Sequence, residues 1–139
     1  MKTVRMLAIF TLAICAFTAT ANAQSVTGRF TLPYEVHWGT ATLPAGDYRI
    51  SMDSLNTATL VQSANSNISF YTRMPVPQGS TKGPASLLIT SFQGEHRVRS
   101  LNLPEFGRSL IYEPLTKAER EQIAKAGHTQ SVPVFAAKK

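Results

Sequence analysis

Glu35-Val36-His37 places a carboxylate and an imidazole two residues apart in an alternating stretch of this 139-residue chain. On an extended strand that spacing turns Glu35 and His37 to one face. Joined by His96 from another strand, they would form a two-histidine, one-carboxylate set able to hold a divalent metal and activate water for hydrolysis. The plainer alternative is an exposed charged pair with an unrelated histidine. It is preferred because ligand geometry is demanding and no cysteine or close His pair reinforces the set.

Two further pairs suggest binding rather than catalysis. Tyr34 and Trp38 lie on one face of the same alternating run, where aromatic rings can stack on sugars or on peptide side chains. Apolar alternation usually means burial, which would make Trp38 a core residue beside Val36. Arg97 and Arg99 are two residues apart and could take an anion, although such a pair is more often a solvated face.

Nucleophilic and phosphate chemistry find no support. No serine stands in a Gly-x-Ser-x-Gly elbow. Gln78-Gly79-Ser80-Thr81-Lys82-Gly83 lacks the spacing of a phosphate-cradling loop. Glu35, Asp47, Glu95 and Glu105 are available as acids, but nothing singles out a catalytic couple. No cofactor is called for.

The N-terminus reads as an address. Lys2 and Arg5 precede a 12-residue apolar run from Met6 to Phe17, and Ala21-Asn22-Ala23 follows. That order defines a secretory signal over residues 1–23, cut between Ala23 and Gln24. The run is too short for a membrane span, which takes about 20 residues. Cys15 is the only cysteine; bulky Ile14 before it argues against a lipidation site. The remaining 116 residues, 24–139, suit one domain with an ordinary core and no disulfide. Their net charge of +4 is mild and dispersed. A nucleic-acid binder would show a concentrated stripe, so none is expected as partner. No transmembrane segment is expected in the mature chain.

The elements that must position these side chains are mostly strands. Val26 to Leu32 alternates, with Val26, Gly28, Phe30 and Leu32 inward. Tyr48, Ile50 and Met52 alternate in the same way, and Leu43-Pro44-Ala45-Gly46 reads as the type I turn of a hairpin. Thr57 to Gln62 pairs with Ile68 to Met74 across a Ser/Asn-rich turn. Residues 75–84 read as a loop, and Ala85 to Phe92 as a central strand. In His96 to Leu103 the parity fails, since a regular strand would put Arg97 and Arg99 with Leu101 and Leu103. A bulge near Ser100 would resolve this. Thr116-Lys117-Ala118-Glu119 is a capping box that opens a helix over 116–126, with Gly127 as its left-handed stop. Residues 128–139 read as a tail.

At Phe30-x-x-Pro33, Val36-x-x-Gly39 and Leu43-Pro44-Ala45-Gly46-x-Tyr48-x-Ile50, the chain resembles a family of small uncharacterised exported bacterial β-rich proteins with a Leu-Pro-Ala-Gly-x-Tyr hairpin. The resemblance implies a strand-rich middle and a charged C-terminal helix, and Gly107-Arg108 and Lys117 to Glu121 fit that pattern. It implies no activity and no site residues.

The expected fold is mainly β, a small antiparallel sandwich or barrel over 24–127 with one C-terminal helix. The expected role is that of an exported, periplasmic or extracellular, non-catalytic binding or structural accessory protein. Its partner would be a protein or a cell-envelope glycan. The alternative is the metal-assisted hydrolase built on His37, Glu35 and His96.

Overall fold

The computed structural model describes residues 25–80 and 82–138. The leader expected over 1–23, its Ala21 and Ala23 cleavage signal, Gln24 and Cys15 lie outside the described residues.

Two β-sheets face each other. The first has five strands: β1 (Val26–Leu32), β4 (Gly46–Met52), β5 (Leu60–Ser63), β6 (Ser69–Tyr71) and β12 (Phe135–Lys138), in the order β12-β1-β4-β5-β6. The second has seven strands, and one of the two sheets curls into a half-barrel. The path of the seven-stranded sheet is β11 (His128–Pro133), β8 (Ser86–Phe92), β9 (Glu95–Leu103), β10 (Arg108–Ile111) and β7 (Val76–Gly79). The hairpin of β2 (Val36–Trp38) and β3 (Ala41–Leu43) joins this sheet through β9. One α-helix is described, α1 (Lys117–Ala126), besides a 3-10 turn at Pro104–Phe106. The mainly β expectation, with a single helix near the C-terminus, is met.

The alternation read from sequence becomes the core. Phe30, Leu32, Tyr48, Ile50 and Val61 of the five-stranded sheet meet Leu87, Ile89, Val98, Leu101 and Leu110 of the other, all buried. Gly28 belongs to the same inner face: a Cβ there would come within 3.1 Å of both Ile50 and Val134. Glycine thus lets β1 and β4 close onto Val134.

The parity failure in β9 is a bulge. Leu88 pairs with Ser100 and Ile89 with Val98, so Arg99 has no opposite residue. An extra residue switches the faces. Val98 faces inward before it, and Leu101 and Leu103 face inward after it.

Several expectations are corrected. Leu43-Pro44-Ala45-Gly46 does not close a hairpin: β3 pairs with β2, whereas β4 pairs with β1 and β5. The segment is a corner at which the chain crosses between sheets. The Tyr48 hydroxyl donates to the Pro44 carbonyl at 2.6 Å and pins that corner, as a tyrosine corner does in other sandwiches. The loop expected at 75–84 contains β7, which pairs with β10 despite Pro77. Proline is tolerated there because β7 is an edge strand. The expected tail at 128–139 instead supplies an edge strand to each sheet, β11 to one and β12 to the other. Gly127 is not left-handed. Its φ of −106° and ψ of −177° are extended, and glycine is needed because a Cβ would lie 2.6 Å from the Ser91 carbonyl oxygen. The chain therefore passes from α1 straight into β11, hugging β8.

Candidate functional site

The Glu35, His37 and His96 set is not assembled. His37 of β2 is the register partner of Arg97 on β9, and His96 is the preceding residue, so the two imidazoles face opposite sides of the sheet. The His37 Nδ1 lies 3.2 Å from the Thr42 hydroxyl, and Glu35 is exposed. Among the described residues no three His, Cys, Asp or Glu side chains are placed to hold a metal ion.

His96 instead closes one end of the sandwich. Its ring stacks on Tyr34 at a centroid distance of 3.8 Å, and its Nδ1 lies 2.5 Å from the Ser91 hydroxyl. The Tyr34 hydroxyl donates to the Gln130 side-chain oxygen. Ser91 is only 3% exposed. Tyr34 is thus a clasp between the β1–β2 connection, β9 and β11, and not an open stacking platform.

Trp38 is buried, in contact with Phe30, Phe70 and Tyr112. The alternation that put it on a face with Val36 therefore meant core. Tyr112 packs edge-on against it at 5.1 Å, and its hydroxyl pairs with the Thr59 hydroxyl at 2.5 Å. Burial pushes the Tyr112 phenol up to about 12, a rise the Thr59 bond opposes.

Arg97 and Arg99 are corrected as an anion patch, because acids already occupy them. Arg97 reaches Glu95 at 2.6 Å and Glu113 at 3.5 Å. Arg99 reaches Glu119 at 3.0 Å and Glu113 at 3.6 Å, and its Nε donates to the Thr90 hydroxyl at 2.8 Å. Three carboxylates on two guanidiniums leave the cluster net negative. The bulge aims Arg99 beneath α1, where its side chain is 8% exposed. The helix begins as expected, Thr116 Oγ1 accepting from the Glu119 N–H at 3.2 Å. The Glu119 carboxylate, expected to bond back to the cap, points to Arg99 instead. Beside the cluster lies a cleft of about 170 Å³ against Phe92 and Ile123.

The outer face of the five-stranded sheet holds residues that the sequence did not single out. Arg29 of β1 stands directly opposite Arg49 of β4. On the far side of Arg29 its register partner is Phe135 of β12, and on the far side of Arg49 it is Gln62 of β5. The row Phe135–Arg29–Arg49–Gln62 therefore crosses four strands, and all four side chains are exposed. Neither arginine has an ion pair or side-chain hydrogen bond among the described residues. The nearest acid in register on this face is Asp47, which accepts from the Thr31 hydroxyl at 2.6 Å. Phe135 is 78% exposed and, with both arginines, lines two hollows of about 650 and 320 Å³. Alternation in β1 and β4 marked Arg29 and Arg49 as outward. Nothing local in the sequence marked them as neighbours.

Comparison with protein-family models, with curated proteins and with solved structures finds no match to this chain.

Proposed function

We propose that this chain is an exported, non-catalytic binding or structural accessory protein whose working surface is the solvent face of the five-stranded sheet. One observation carries this. Arg97, Arg99, His96 and Trp38 of the seven-stranded sheet are engaged by neighbouring side chains, whereas Arg29 and Arg49 face each other on the other sheet with no ion pair or side-chain hydrogen bond among the described residues. Two like charges directly opposed across a strand pair destabilise a sheet. A ligand that neutralises them would recover that energy. Export by the leader at 1–23 would deliver the protein to the periplasm or beyond, and the N-terminus of the exported form is then expected at Gln24.

The test is a thermal-shift panel on the purified protein with divalent metals, neutral and acidic oligosaccharides, peptidoglycan fragments and small anions. A ligand present at 100 times its Kd adds about 2.7 kcal/mol, a rise of several degrees for a domain of this size. The expected result is a shift with an anionic compound that is lost in Arg49→Gln. A shift confined to a metal and lost in His37→Ala would overturn the proposal in favour of a metal-assisted reaction.

A further inference from the structure

We infer that the Phe135–Arg29–Arg49–Gln62 row is a site for an extended glycan that carries carboxylates, an assignment that rests on the binding role proposed above. The register sets the geometry. Directly opposed residues in an antiparallel pair have Cβ atoms about 4.5–5.5 Å apart. Arg29 and Arg49 can therefore both reach a single oxyanion between them. A guanidinium offers parallel N–H donors that match a planar carboxylate, and it keeps its charge at any physiological pH.

The flanks favour a sugar chain over a bare anion. Phe135 lies beside Arg29 in the same row, with its ring largely open to solvent. Tyr71 stands at the opposite edge of the sheet and is 71% exposed. It is one register row over, in the series Thr27–Ser51–Leu60–Tyr71. Strands lie about 4.8 Å apart, so four steps from β12 to β6 separate the two rings by about 19 Å. A chain of several sugar units spans that length. Its C–H-rich ring faces can lie on the aromatic rings, and its acid can lie between the arginines. Thr27, Ser51 and Gln62 offer neutral donors and acceptors to sugar hydroxyls along the way.

A nucleic acid or an anionic bilayer presents phosphate at every step and calls for a continuous basic stripe. Among the described residues, the outward positions of these strands carry two cations, Arg29 and Arg49, and one carboxylate, Asp47, set among neutral groups. Charge at one point with apolar contact on both sides matches a sparsely charged, extended, hydroxyl-rich partner.

The probe is polygalacturonate, with its fully methyl-esterified form, inorganic polyphosphate and phosphatidylglycerol vesicles as comparators. Isothermal titration of the purified protein is expected to show binding to polygalacturonate that weakens with salt, and none to the methyl ester. Arg49→Glu places opposite charges on β1 and β4, so it should keep or raise Tm while weakening binding at least tenfold. Phe135→Ala should weaken binding several-fold, and Lys125→Gln on α1 should leave it unchanged. Binding to polyphosphate or vesicles as tight as to polygalacturonate, with Phe135→Ala neutral, would overturn the glycan assignment and leave a general anion-binding protein. Polygalacturonate binding that survives Arg49→Glu would overturn the site. No binding to polygalacturonate, when the thermal-shift panel does find a ligand, would overturn the glycan and spare the binding role. A panel without any shift would remove both.

Discussion

Tyr112 offers a stability test that depends on its packing in this structure. It lies between Trp38 and Thr59, and burial raises its phenol to about 12. In the unfolded chain the phenol ionises near pH 10. Below about pH 10 both states keep the proton, and the contribution of this group to stability is fully present. Between about pH 10 and 12 the unfolded chain sheds a proton that the folded chain retains, so stability falls as pH rises. The loss comes to about 1.4 kcal/mol at pH 11 and approaches about 3 kcal/mol above pH 12. Tyr112→Phe removes this dependence. At pH 8 it should cost roughly 1–3 kcal/mol, because the buried Thr59 hydroxyl loses its partner. The gap between wild type and variant should then narrow by about 1.4 kcal/mol by pH 11. Urea unfolding of both proteins at matched pH reads the difference, and every other titrating group, Tyr48 included, cancels in it. Free energies that run parallel from about pH 8 to pH 11 would refute the placement of the Tyr112 hydroxyl in a buried site.

Three further outcomes are expected. Tyr48→Phe removes the bond to the Pro44 carbonyl that pins the inter-sheet corner and should cost about 1 kcal/mol, read as a lower urea midpoint at unchanged slope. Gly127→Ala drives a methyl to 2.6 Å from the Ser91 oxygen and 2.9 Å from the Ile123 Cα, so chain must move; a loss of roughly 1–3 kcal/mol and a lower Tm by circular dichroism should follow. Arg99→Met leaves Glu113 and Glu119 without their buried cation and should cost roughly 2–3 kcal/mol, whereas Arg97→Met, at a half-open position, should cost under about 1 kcal/mol by the same unfolding assay.

Much of the fold was legible because strand burial has a period of two. Val26, Phe30 and Leu32, like Tyr48, Ile50 and Met52, announced their inner face by alternation alone. The β9 bulge was legible too, since two arginines in phase with two leucines required a break. The hairpin between β8 and β9 turns on Gln93-Gly94, both of which take positive φ. The Leu-Pro-Ala-Gly turn misled because a corner between sheets and a hairpin within one begin with the same local bend. Only the Tyr48 bond and the separate partners of β3 and β4 distinguish them. The last residues misled for a related reason. His128 to Pro133 is mostly exposed and weakly alternating, so its strand exists through its pairing with β8 rather than through its own composition.

The candidate site divides along the same line. That Arg29 and Arg49 point outward was decided by local alternation in β1 and β4, and the apolar partners of that pattern dictated a two-layer β domain. Which outward residues meet is a matter of long-range register. Arg29, Arg49 and Phe135 come from three distant parts of the chain and adjoin only because β1 pairs with β4 on one side and β12 on the other. Arg99 looked like a free cation because its acids, Glu113 and Glu119, arrive from a later segment folded back over the bulge, whereas the nearest acid of Arg97 is Glu95 on its own strand. Side-chain direction is set by backbone geometry within a few residues. Charge neutralisation is set by whatever the tertiary fold brings near, so the sequence alone identified the layers, and the three-dimensional structure decided which charges remain open to a ligand.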